Sequence, residues 1–216
     1  MRSAKLTRDH LSKLAIQALD NHKHVLVFGP YGIGKTFFAL KTLQGNGGPR
    51  LVLSLGSGPK EMAETLLDQI SRHSGTPKAE LRTFNGMKRR LRCFYKEKYI
   101  VVIDDFFAVS TAKLGFLHFL IQSGFRLIVI VENGVKETSL NGMMKFIPLA
   151  HRIDLPRLSK TESHEMIVDF CQKKKIPLDE NKIKNWIIQF QGYPLMIFDY
   201  FWWKETSRVP QDQKAE

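Results

Sequence analysis

Hydrophobic positions along the chain change their period several times, and each change marks an element. After Thr7, whose hydroxyl suits a helix cap, apolar residues fall at Leu11, Leu14, Ala15, Ala18 and Leu19. That spacing predicts a helix over 8–19, with Leu6 placed to staple back onto Leu11. The short apolar run Val25-Leu26-Val27-Phe28 predicts a strand, and helical spacing resumes over 35–43. Residues 51–55 read as a second strand. Pro59, at home in a first helical turn, opens a helix through Met62, Leu66, Leu67 and Ile70, which a turn at Ser74-Gly75-Thr76-Pro77 ends.

Over 79–98, Leu81, Phe84, Met87, Leu91, Phe94 and Tyr95 recur at intervals of three and four, predicting one helix with a single buried stripe and other faces crowded with Arg and Lys. Two long apolar runs follow, 99–105 closed by Asp104 and Asp105, and 126–133 closed by Glu132 and Asn133. Both read as buried parallel strands, and the helix expected over 111–122 supplies the crossover such a pair requires. A loop rich in Gly, Asn and Met is expected over 133–144, then a short strand over 152–155. From there strand patterns stop, and helices are expected over 160–174, 179–191 and 193–204. The fold class is therefore α/β: a core over 1–155, a small helical lid over 156–204 and a polar tail over 205–216.

Composition narrows the picture. With 216 residues and 43% hydrophobic content the chain buries a substantial core, which excludes a disordered or fibrous protein. Cys93 and Cys171 are the two cysteines, in no zinc or CxxC spacing, and the seven His show no metal spacing, His22 and His24 included. The basic start runs into an amphipathic segment rather than a secretory signal, and no run reaches the roughly 18 apolar residues a membrane span needs. A reducing cytoplasm is the expected location.

The chemistry is concentrated at the end of the first strand. Gly29-Pro30-Tyr31-Gly32-Ile33-Gly34-Lys35-Thr36 fits GxxxxGK[ST], with a strand before it and a helix after it. Glycines let backbone N–H groups turn toward phosphates at the positive end of the following helix. In this motif Lys35 reaches the β- and γ-phosphates and the Thr36 hydroxyl ligates magnesium. Asp104 suits a magnesium contact, and Asp105 suits orienting or deprotonating an attacking water. An amide at Asn133 suits holding that water or sensing the γ-phosphate.

These residues resemble the additional-strand P-loop ATPases of the AAA+ type, close to the initiator-like and STAND-like groups. Gly29 to Thr36 is similar to Walker A, Asp104 and Asp105 to Walker B, and Asn133 to the sensor-1 Asn. Thr7-Arg8-Asp9-His10-Leu11 resembles the family's Gly-Arg-Glu-x-Glu-Leu opening, with Thr in place of Gly and His in place of an acid. Leu155-Pro156-Arg157-Leu158-Ser159 with Glu162 resembles the entry to the lid, and Gly192-Tyr193-Pro194 the family's Gly-x-Pro element. The resemblance implies a three-layer αβα P-loop NTPase core of sheet order 5-1-4-3-2, a lid folded over the nucleotide, and ATP with Mg2+ as cofactors. It implies nucleotide contacts from Arg8, Phe37 and Pro194 beside the loop. Two departures bear on turnover: Asp-Asp stands where many AAA+ enzymes have Asp-Glu, and the arginine finger has only Arg152 and Lys145 as candidates.

The formal charge of +12 points to an anionic partner. Nine Lys or Arg against two Glu fall over 72–98, so more than half of the net charge lies in one region. On the helix expected there, Arg82, Arg89, Arg92 and Lys96 share one side and Lys88 and Arg90 flank it, a row that suits DNA phosphates without reading bases. The aromatic cluster Phe198, Tyr200, Phe201, Trp202 and Trp203 suits base stacking or an interface, though its place in a small lid favours core packing. The resulting expectation is an ATPase that assembles as a homo-oligomer on DNA and recruits a partner protein such as a transposase. This resembles small AAA+ regulators of transposition that hold little beyond core and lid. The alternative is a STAND-like ATP switch acting on a protein without nucleic acid. A kinase lacks an Arg-rich phosphate lid here, and Asn133-Gly134-Val135-Lys136-Glu137 lacks the guanine-reading pattern of a GTPase.

Overall fold

The structure is a computed structural model that describes residues 7–45, 51–76, 81–94, 99–106, 109–135, 137–145, 147 and 150–206, with the side chains of 45, 105, 139 and 203–206 left aside. Leu6, Pro77, Tyr95, Lys96, the side chains of Asp105 and Trp203, and the tail from 207 on lie outside the described residues. The chain divides into two compact units, one of 1–30 with 35–155 and one of 31–34 with 156–216.

In the first unit five parallel strands alternate with helices: α1 (Arg8–Asp20), β1 (Val25–Gly29), α2 (Lys35–Gly45), β2 (Leu51–Ser54), α3 (Pro59–Ser74), α4 (Phe84–Arg92), β3 (Ile100–Phe106), α5 (Thr111–Gln122), β4 (Arg126–Glu132), α6 (Glu137–Met144) and β5 (His151–Asp154). The sheet order is β2-β3-β4-β1-β5, with every neighbouring pair parallel. That is the order the resemblance implies. Alternate residues of the strands face opposite layers. Leu26, Phe28, Leu51, Leu53, Val101, Ile103, Leu127, Val129 and Val131 enter one core with residues of α3, α4, α5 and α6. Their neighbours Val25, Val27, Val102, Ile128 and Ile130 are also buried, and α1 and α2 pack against the sheet. Both faces are covered, which is why the strands read as continuous apolar runs. Each fully buried Leu or Ile contributes roughly 1.5–3 kcal/mol relative to exposure, so the core dominates what holds β1 in place.

Two expectations are corrected. The helix expected over 79–98 spans only Phe84–Arg92: the Thr83 hydroxyl accepts from the Gly86 N–H and starts it, and the Cys93 N–H bonds back to Arg90 and Leu91 to close it. Arg82 therefore precedes the cap rather than sharing a helical side with Arg89 and Arg92. The loop expected over 133–144 contains α6, whose Leu140, Met143 and Met144 pack on the core. The helix forms despite its composition because these side chains seat on the core, and Gly142 packs beside Leu114 of α5, where a Cβ would lie 3.1 Å from Cδ1. Other boundaries move by a few residues, as helix ends do.

The second unit holds α7 (Lys160–Lys173), α8 (Glu180–Phe190) and α9 (Pro194–Thr206), the last running two residues further than expected. Ser159 opens α7 with a reciprocal capping box to Glu162, and Asp179 caps α8 through the N–H groups of Asn181 and Lys182. Its own core is Ile167, Cys171, Ile183, Trp186, Phe190, Ile197 and Phe201. The Trp186 indole N–H donates to the Tyr200 hydroxyl at 3.0 Å, satisfying a polar group at the edge of that core. Phe198 and Trp202 stack on one another at 5.7 Å and stay exposed, so the aromatic cluster is divided between packing and surface.

Candidate functional site

The Gly-rich loop leaves the sheet at Gly29, the end of an interior strand paired on both sides: β1 pairs with β4 through Gly29 opposite Glu132, and with β5 through Phe28 opposite Asp154. Gly32 at φ +75° and Gly34 at φ +84° take the left-handed conformations that a side chain resists, and Ile33 between them is buried. Helix α2 starts directly at Lys35 with no acid in its first turn. Its free amides and dipole are thus open to an anion.

Four side chains meet at this end of the sheet. The Thr36 hydroxyl donates to Asp104 Oδ2 at 2.9 Å, joining the head of α2 to the end of β3. A hydroxyl and a carboxylate so placed are the hard oxygen donors that magnesium prefers. Lys35 is only 5% exposed, and its ammonium donates to the carbonyls of Gly29 and Pro30, each at 2.9 Å, and to Glu132 Oε1 at 3.4 Å. The loop thereby holds a buried cation against one carboxylate, that of Glu132. These residues fit a magnesium–nucleoside triphosphate: Lys35 and the loop amides would hold its phosphates, Thr36 and Asp104 its metal. The nucleotide would supply a cleavable phosphoanhydride.

Asn133 caps the same strand end, its N–H donating to Gly29 O at 3.3 Å while its side chain is exposed. Asp105 follows Asp104 within β3. Tyr31 and Phe37 are 74% and 71% exposed, unusual for aromatic rings beside a structured loop. Arg8 is the first residue of α1 and half-buried, on a helix tied to α2 by the Lys41–Asp9 ion pair and the Ser12–Thr42 hydrogen bond. Within the second unit Pro194 starts α9, and the next amide, Leu195 N–H, donates to Gly32 O at 3.2 Å. Arg152 lies on the edge strand β5, paired with Asp154 at 2.8 Å and with its guanidinium 4.2 Å from the centre of the Phe28 ring. Lys145 is exposed just past α6. Glu132 was not singled out from the sequence. Its signal was there, since it follows an apolar run just as Asp104 does.

The basic residues on α4 are held by rings rather than acids. Lys88 lies over Phe84 and Phe119, Arg92 over Phe119 and Arg90 over Phe94, at 4.9–5.4 Å. Arg89 is exposed, and among the described residues none of these four cations is paired with a carboxylate.

Several solved structures share this architecture. A Walker-type ATPase of Pyrococcus abyssi matches 91% of the chain at a TM-score of 0.64 and 17% identity. The chain shares the fold of this P-loop ATPase. The replication initiator DnaA, bound to AMPPCP and single-stranded DNA, matches 96% of the chain at a TM-score of 0.54 and 14% identity. The Aeropyrum pernix ORC1 protein in complex with DNA matches 77% at a TM-score of 0.51 and 15% identity. The chain spans 68%, 66% and 48% of these three proteins respectively. No protein-family model and no curated protein matches the sequence. The likeness to these proteins is therefore one of fold, at 14–17% identity. Among the described residues no helix is long and apolar enough to cross a membrane, and no cluster of His, Cys, Asp and Glu forms a separate metal site.

Proposed function

We propose that the chain is a magnesium-dependent ATPase that binds ATP at Gly29–Thr36, assembles on DNA in the ATP-bound form and recruits a protein partner, of which a transposase is one kind. The observation that carries the nucleotide reading is the Thr36–Asp104 hydrogen bond beside a buried Lys35. In this reading Asp105 and Asn133 orient the attacking water, Arg8, Tyr31, Phe37 and Pro194 contact the nucleotide, and the α4 cations grip the DNA backbone. The α4 cations, none paired with a carboxylate among the described residues, and the DNA named in two of the similar structures support that last step.

Binding of a fluorescent ATP analogue tests the first part: Lys35→Ala is expected to weaken it about a hundredfold, through loss of charge-assisted bonds to phosphate. Fluorescence anisotropy on duplex DNA at several salt concentrations tests the second. Each phosphate neutralised adds about −0.9 to the slope of log affinity against log salt, and reversing Arg89 and Arg92 to Glu is expected to flatten that slope. Absence of DNA binding at low salt, with ATP binding intact, favours the protein-directed switch. The hydrogen bond from Leu195 to Gly32, which ties α9 to the loop, supports that second reading.

A further inference from the structure

An ammonium has three N–H donors. Those of Lys35 are directed at Gly29 O, Pro30 O and Glu132 Oε1, on a side chain almost wholly buried, whereas Glu132 is about one-third exposed. A phosphate can be reached by Lys35 only if one of these acceptors is given up. The two carbonyls belong to the loop itself and are fixed by the strand that precedes it. Glu132 is the acceptor on a side chain, the longest of the three contacts, and the one carrying charge.

Glu132 is also held in place with little freedom in its backbone. It is the last residue of β4, its Cα lies opposite Gly29, and the next residue, Asn133, donates its N–H to Gly29 O. The carboxylate therefore arises from the rung of the sheet that launches the loop. Every approach of a triphosphate to Lys35 brings more negative charge toward this carboxylate, and an ATP brings more than an ADP.

We infer that Glu132 is an affinity-setting residue that competes with the nucleotide phosphates for Lys35 and discriminates against the γ-phosphate. This rests on the reading of Gly29–Thr36 as the ATP site. Binding then exchanges one ion pair for another: Lys35 leaves Glu132 for phosphate, and the carboxylate turns to solvent, toward which it is already partly open. The resting affinity for ATP is held down, so that occupancy follows the ATP concentration instead of being saturated at all times.

The test is competition of ADP and of a non-hydrolysable ATP analogue against a fluorescent nucleotide, for wild type, Glu132→Gln and Glu132→Asp, with folding checked by circular dichroism. Glu132→Gln keeps the shape and removes the charge. It is expected to bind the ATP analogue about three- to tenfold more tightly, with a smaller gain for ADP. Glu132→Asp, one methylene shorter, withdraws the carboxylate from Lys35 and is expected to move the same way by less. A merely structural Glu132 predicts the opposite sign, weaker binding of both nucleotides on loss of the contact. Wild-type binding with equal or weaker affinity in both variants overturns the competition alone; no nucleotide binding by any of the three overturns the ATP site with it.

Discussion

Gln191 and Gly192, which join α8 to α9, both adopt positive φ, +49° and +76°, and Gly192 O accepts from the Leu158 N–H at 2.9 Å. A Cβ on Gly192 would collide with the Leu158 carbonyl oxygen, a backbone atom without room to yield. Gly192→Ala is therefore expected to destabilise the helical unit by upwards of about 2 kcal/mol, measured by urea denaturation, since strain and collision add. At this scale the sequence was most readable where one residue type has one task. Lys35, Thr36 and Asp104 stand out because a dense anionic ligand would demand a cation, a hydroxyl and a carboxylate in a fixed order, and the structure buries Lys35 and joins Thr36 to Asp104. Glu132 does not, because an acid at a strand end is common and its meaning depends on a pairing with Gly29 that spacing along the chain does not reveal.

Elements were legible where period and caps agreed. The Ser159 hydroxyl receives the Glu162 N–H at 3.1 Å and Glu162 returns a bond to the Ser159 N–H at 2.7 Å, so the start of α7 follows from the residues alone. Ser159→Ala is expected to cost about 1 kcal/mol in the same denaturation experiment, with Ser159→Thr close to wild type. Helix α4 shows how period misleads without caps. Its apolar stripe continues past both ends in the sequence, yet Thr83 begins the helix and Leu81 and Phe94 pack on the core from outside it. For α6 the opposite held: Asn, Gly and Met disguise a helix whose stability comes from seating on α5 and the core rather than from propensity.

For the molecule as a whole, sheet order followed from the resemblance, whereas pH response did not. His24 is partly buried, and the desolvation pushes its imidazole below the usual range, while its Nδ1 accepts from the Leu127 N–H at 3.1 Å. The native ring is thus neutral where the unfolded ring, near pH 6.5, begins to charge. Stability is full above that pH, falls as the pH drops through it, and levels off once the native ring is also protonated. The slope this residue adds is at most about 1.4 kcal/mol per pH unit. Urea midpoints between pH 5 and 8 are expected to fall less steeply for His24→Gln than for wild type. The interior place of β1, paired on both sides, has a consequence for how the chain comes into being. Both of its neighbours, β4 and β5, are encoded about a hundred residues further on. At about 5–20 residues per second, a ribosome exposes β1 and its glycine loop for several seconds before either partner strand emerges. The segment that defines the protein chemically is spelled early and assembled late, in the interval when nascent-chain chaperones have most to do.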